Sequence, residues 1–225
     1  MRVADAYGWL MERAGGEADP FDLHVVASIL ALAWAEAVAG RGSLPFCTGL
    51  DGVTLGALAL RLFPDAWPGI AALADGPASL GDDELAVRDL LWMYADGGTD
   101  LQRDLTAMIA RRCSRPNHLW QDLGLRNRGE LSSLMRRHFS GLARRNSQDM
   151  KWKKFLFRMI CRSEGFTLCT APVCTECDDF DACFGAEDGE AMLAHIRSGR
   201  PPLAPHRLPT EDAAHVRDVC PVPRG

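Results

Sequence analysis

Four cysteines fall within fifteen residues toward the end of this 225-residue chain, in the stretch Cys169-Thr-Ala-Pro-Val-Cys174-Thr-Glu-Cys177-Asp-Asp-Phe-Asp-Ala-Cys183. Their spacing is C-x4-C-x2-C-x5-C. Thiols crowded on so short a loop need a common partner, and in a reducing compartment that partner is a metal, because disulfides do not persist there. Structural zinc usually takes two C-x2-C knuckles separated by a dozen or more residues. Only Cys174 and Cys177 have knuckle spacing. The first three cysteines instead repeat the C-x4-C-x2-C run that holds iron–sulfur clusters. A compact run of soft thiolates suits an object several ångströms across better than a single ion. The reading favoured is an iron–sulfur-type cluster ligated by Cys169, Cys174, Cys177 and Cys183, with zinc or a metal-free loop as the alternatives.

The elements that must position this loop read as helices. Asp22 can cap a helix running to about Ala39, stopped by Gly40-Arg-Gly42. Further helices are expected over Val53 to Phe63, Glu84 to Ala95, Leu101 to Cys113 and Glu130 to Arg145, with a short turn from Pro116 through Trp120. The strongest pattern spans Gln148 to Arg162, where Trp152, Phe155, Leu156, Met159 and Ile160 share one helical face. A last helix is expected over Glu187 to Arg197, and no window alternates as a half-buried strand does. The fold class is therefore all-α. One helical domain is expected over residues 1–199, with the cysteine loop at 169–183 between two helices. Six prolines among residues 200–225 predict an extended or disordered tail.

The most apolar stretch, Val25 to Ala39, is interrupted by Glu36 and is expected as a buried helix too short for a bilayer. With no signal-peptide pattern at Met1, the chain reads as soluble and cytoplasmic. The net charge of −5 hides a strong asymmetry. Residues 1–110 carry 6 basic and 16 acidic side chains, residues 111–162 carry 14 and 3, and residues 163–225 carry 5 and 11. A positive belt thus directly precedes the cysteines. It is either a solvated surface paired with the acidic half or a field that draws anions over about 8 Å at cytosolic ionic strength. Lys151, Lys154, Arg158 and Arg162 are its most regular stripe.

Several motifs, taken together, resemble the NifQ family of nitrogen-fixation proteins. They are Ile109-Ala-Arg-Arg-Cys-Ser-Arg-Pro-Asn-His-Leu-Trp-Gln-Asp-Leu-Gly-Leu125, Glu130-Leu-Ser-Ser-Leu-Met-Arg-Arg-His-Phe139, Asn146-Ser-Gln-Asp-Met-Lys-Trp-Lys-Lys-Phe155 and the cysteine loop with Cys183-Phe-Gly185. They recur in one order over residues 109–185, whereas residues 1–108 resemble the family only in helical character. The resemblance implies a carrier, not an enzyme, that supplies molybdenum for the nitrogenase iron–molybdenum cofactor. It implies an iron–sulfur cluster, 4Fe-4S or molybdenum–iron–sulfur, on Cys169, Cys174, Cys177 and Cys183. The partners implied are the cofactor-assembly proteins, scaffold and iron protein, and molybdate or another molybdenum source, with neither membrane nor nucleic acid.

Other candidate ligands carry plainer readings beside the functional one. His118 can complete a molybdenum coordination sphere, but a histidine at a helix start more often bonds its local surroundings. His138 is expected in packing or on the surface, and Cys113 and Cys161 as buried structural thiols. Cys47 and Cys220 are isolated in sequence. Asp178, Asp179 and Asp181 offer hard oxygens, a poor match to a thiolate cluster. Trp120 and Trp152 are expected in the core. Two alternatives remain open: a helical DNA-repair-type iron–sulfur protein and a zinc-stapled interaction module. The first normally spaces its cysteines C-x6-C-x2-C-x5-C and carries a helix–hairpin–helix that is not found here. No phosphate loop, nucleophile elbow or dinucleotide fingerprint is present.

Overall fold

The computed structural model describes residues 5–163, 187, 192 and 193. The helices within 5–163 are α1 (Ala6–Met11), α2 (Pro20–Val38), α3 (Leu44–Thr48), α4 (Gly52–Leu62), α5 (Trp67–Ala71), α6 (Asp82–Met93), α7 (Asp100–Cys113), α8 (Leu119–Asp122), α9 (Arg128–His138), α10 (Ser140–Arg145) and α11 (Trp152–Ser163). No strand occurs among the described residues, and the chain is an all-α single domain. The short helices α1, α3 and α5 have no counterpart in the sequence reading. Each spans five or six residues, too few to show a period.

The centre of the domain is α2. A helix apolar on every side has no solvent face to offer and is buried, and every residue from Val25 to Ala35 is buried. At 19 residues with mean hydropathy 1.6, α2 is long and apolar enough to cross a membrane by length and composition, which corrects the expectation that it is too short. Here it is covered by protein instead, with α1 and α3 packed along it. Its N-cap is Asp19, not Asp22: the Asp19 carboxylate accepts from Phe21 N at 2.8 Å and Asp22 N at 3.2 Å, with Pro20 in the first turn. Asp22 instead accepts from His138 Nε2 of α9 at 3.0 Å. His24, two residues on, lies between Tyr7 Oη (2.9 Å) and Glu130 Oε2 (3.2 Å), joining α1, α2 and α9.

A capping box opens α7: Thr99 Oγ1 accepts from Gln102 N, while Gln102 Oε1 accepts from Thr99 N and Gly97 N. The same Gln102 amide donates to the His138 carbonyl, tying α7 to the end of α9. α6 packs along α7 and also touches α11.

The sequence predicts one helix over Glu130 to Arg145, but the structure breaks it into α9 and α10. The break is Phe139, whose backbone (φ −137°, ψ 50°) leaves the helical region while its ring is fully buried. The turn after α6 holds that break open. Asp96 N donates to the His138 carbonyl, and the Asp96 carboxylate accepts from Ser140 N and Ser140 Oγ, each at 2.8 Å. α11 likewise starts at Trp152 rather than Gln148. Upstream, the Asn146 amide brackets Met150, accepting from its N–H and donating to its carbonyl at 2.9 Å each. Asp149 sits at φ 55°, a left-handed conformation that ends any helix.

Candidate functional site

Cys169, Cys174, Cys177 and Cys183 lie outside the described residues, as does the 200–225 tail and most of the expected Glu187–Arg197 helix. The described residues on either side are α11, which runs into the cysteine segment, and Glu187, four positions after Cys183. Both are fastened to one short stretch, residues 115–128.

That stretch is built around α8. His118 is its N-cap, and Gln121 Oε1 accepts from His118 N at 3.3 Å. Leu119 and Trp120 are buried, with Trp120 2 % exposed, in keeping with the core role expected of it. Gly124 ends the turn at φ 74°, where a Cβ would stand 2.8 Å from the Ser28 carbonyl of α2. Only glycine permits both the left-handed backbone and that approach. α8 is therefore pressed directly on the central helix.

From α11, Lys153 reaches across to this platform. Its ammonium donates to Asp122 Oδ2 at 2.6 Å and to the Arg115 carbonyl at 2.5 Å. Asn117 Nδ2 holds the other Asp122 oxygen at 2.9 Å. The Asp122 side chain is 4 % exposed, so its charge is offset inside the protein rather than by water. Lys153 was not singled out by sequence: it lies off the Lys151–Lys154–Arg158 stripe, and its carboxylate partner is 31 positions away.

Glu187 returns to the same place. Its carboxylate, 5 % exposed, lies 3.3 Å from His118 Nδ1 and 3.0 Å from Arg128 Nη1. The other terminal nitrogen of Arg128 donates to the Asp149 carbonyl (2.6 Å), the Asp149 carboxylate (2.9 Å) and the Met150 carbonyl (3.1 Å). His118 is thus a helix-start histidine as expected, with a carboxylate as an additional neighbour. No sequence signal pairs Glu187 with His118 or Arg128, because the contacts are tertiary.

The remaining candidates resolve as packing. His138 is buried and bonded to Asp22, and Trp152 is 3 % exposed. Cys113 is buried, and burial pushes its thiol up to about 12, although the nearby Lys153 charge pulls the other way. Cys47 is fully buried, and burial, with the Glu36 carboxylate beside it, raises its pKa too. Thiols held protonated in this way are poor metal ligands. Cys220 and the side chain of Cys161 lie outside the described residues. Among the described residues, no group of three or more His, Cys, Asp or Glu side chains is placed to hold a metal ion.

Much of the positive belt turns inward. Arg112, 1 % exposed, and Arg115 both bond Glu36 of α2 at 2.8 Å, one to each carboxylate oxygen. Arg111 pairs with Glu84 of α6 at 2.8 Å and donates to the Phe46 and Ser79 carbonyls. Lys151, Lys154 and Arg158 of the stripe are half-buried rather than solvated. Among the described residues, the exposed basic side chains of this region are Arg126, Arg136, Arg137, Arg144 and Arg145, around α9 and α10, while the side chain of Arg162 lies outside the described residues. The exposed part of the belt among the described residues therefore lies around α9 and α10 rather than on the Lys151–Lys154–Arg158 stripe.

The model of the NifQ family matches residues 25–185. This chain belongs to the NifQ family. The NifQ match begins well upstream of the motifs at Ile109, which corrects the expectation that residues 1–108 share only helical character with the family, and it takes in residues 25–38 of the central helix α2. A NifQ homolog of Sinorhizobium fredii (strain NBRC 101917 / NGR234) is 39 % identical over 172 residues, 76 % of this chain and 75 % of that one. NifQ of Rhodobacter capsulatus is 38 % identical over 159 residues, 71 % of this chain and 87 % of its own. NifQ of Azotobacter vinelandii is 34 % identical over 160 residues, covering 66 % and 82 %. No solved structure matches the chain.

Proposed function

We propose that this chain is a molybdenum carrier that supplies the metal for assembly of the nitrogenase iron–molybdenum cofactor. NifQ proteins belong to nitrogen fixation, and the observation that carries the finer reading is the C-x4-C-x2-C-x5-C run. Its four thiols, Cys169, Cys174, Cys177 and Cys183, are the soft donors that iron and reduced molybdenum prefer, and they are deprotonated on metallation. Their spacing suits an iron–sulfur or molybdenum–iron–sulfur cluster as cargo. The two cysteines described in the helical body differ from this set: burial raises the pKa of Cys47 and of Cys113, which supports the loop as the place for metal.

In this reading the helical body does no turnover chemistry. It holds α11 in place and presents the loop to the cofactor-assembly scaffold and iron protein, having taken molybdenum from molybdate or another source. Anaerobic purification with iron and molybdenum analysis and electron paramagnetic resonance tests it. Bound iron and molybdenum that fall together when any one of the four cysteines is replaced support the carrier. Stoichiometric zinc in a colourless protein would overturn it in favour of a zinc-stapled module.

A further inference from the structure

Arg128 sits between the two ends of the cysteine segment. Through Nη2 it fastens the Asp149–Met150 turn from which α11 departs, at 2.6–3.1 Å. Through Nη1 it meets the Glu187 carboxylate at 3.0 Å, and His118 Nδ1 meets the other oxygen at 3.3 Å. Residues 164–186, all four loop cysteines among them, are the chain between Ser163 at the end of α11 and Glu187.

We propose that His118, Arg128 and Glu187 form a clamp that fixes the returning end of the cysteine segment against the α8 platform, and so sets where the four thiols are presented. His118 and Arg128 are positioning residues in this account, acting through Glu187. The inference rests on the proposed role of the cysteines, but the clamp itself is a property of the metal-free chain.

The physical case has three parts. A carboxylate 5 % exposed has lost most of its hydration, and such a group stays buried only when cationic or hydrogen-bonding partners replace the water. A guanidinium carries donors on two separate nitrogens in a rigid fork, so one side chain can bind two chain segments at once, which an ammonium does less well. Finally, the platform is itself immobilised: Gly124 seats it on α2, and Lys153 bonds Asp122 from α11. The side chain of Leu193, six positions after Glu187, is partly buried and packs against the core.

A clamp of this kind matters to a carrier. Ordering a loop costs about 1–2 kcal/mol per residue in backbone entropy. Fixing the return point beforehand lowers what the metal itself must supply, and it limits the positions the thiolates can take.

The test uses the full chain, first without added metal. Hydrogen exchange of the peptide covering 187–193 is expected to rise about tenfold in Arg128→Ala, which breaks the Arg128–Glu187 ion pair, and at least as much in Glu187→Ala, which also removes the His118 contact. Adding Glu187→Ala to Arg128→Ala should raise it by less than the product of the single effects, since the Arg128–Glu187 pair is already broken and the His118 contact remains to be lost. Exchange unchanged in both single variants, or effects that multiply in the double, overturns the clamp. After anaerobic loading with iron and molybdate, Glu187→Ala is expected to show an altered paramagnetic signal, or bound metal reduced several-fold, with helicity and the α1–α11 melting transition retained. A loaded variant with the wild-type signal and metal content would overturn the positioning role. A wild-type chain that takes up neither metal would instead sink the carrier reading, and the exchange experiment would still decide the clamp.

Discussion

Lys153 and Asp122 form a tight ion pair, 2.6 Å from Nζ to Oδ2, between the helix that leads to the cysteines and the short helix of the platform. The carboxylate is 4 % exposed and the lysine side chain 18 %. Removing the lysine strands a buried charge, and that is the costly half of any such pair. Lys153→Met is expected to lower stability by about 3 kcal/mol, measured by urea denaturation. The exposed Arg103–Asp100 pair, at 3.4 Å with side chains 64 % and 75 % exposed, is the comparison. Arg103→Ala should cost less than about 1 kcal/mol. Equal effects would mean that Lys153 is screened by water and holds nothing in place.

Replacing Cys169, Cys174, Cys177 or Cys183 singly by alanine is expected to lower bound iron and molybdenum together. Cys47→Ala and Cys220→Ala should leave both near wild type, because Cys47 is buried beside Glu36 and Cys220 stands apart in sequence. Loop variants with full metal content would remove the central claim.

The buried thiols predict a pattern of reactivity. With burial holding Cys113 up to about 12 and raising Cys47, neither should react with iodoacetamide at pH 8 until the chain is denatured. Mass spectrometry of labelled peptides reads this directly. The Cys113 shift also sets a sign for stability against pH. An unfolded thiol ionises near about 8.5, whereas the folded one waits until about 12. The contribution is thus fully present below the unfolded value and is lost as pH rises toward the folded one. Cys113→Ala should flatten the alkaline loss of stability between those limits, although the cavity it leaves lowers stability at every pH.

The exposed arginines around α9 and α10 carry the charge available for a partner or an oxyanion. Arg136→Glu with Arg144→Glu is expected to slow molybdenum loading or transfer at low salt, with the difference shrinking as salt is added. Both side chains are exposed, so helicity should be unchanged. Identical rates at low salt would reduce this surface to a solvated face.

Sequence alone was enough for the fold class and the family, and its thiol spacing is what the proposed cysteine set rests on. Helical periodicity in 101–113 and 152–160, glycine and proline stops, and thiol spacing are all local, and local patterns are legible without a structure. It was also enough to expect Trp120, Trp152 and Cys113 in packing, because aromatic and thiol side chains bury when an apolar face is present, whereas His138 was open between packing and surface until its contact with Asp22 was seen. The tertiary structure alone decided which charges were surface and which were buried. Arg112 and Arg136 look alike in sequence, yet Arg112 closes on Glu36 from 76 positions away and Arg136 faces solvent. It alone decided that one predicted helix breaks at Phe139, because the bonds that hold the break open come from Asp96, 44 positions before Ser140. The platform of His118, Asp122, Arg128, Lys153 and Glu187 belongs to the same class. Its members share neither a period nor a spacing, and they meet because a buried carboxylate must find a cation wherever the fold brings one within reach.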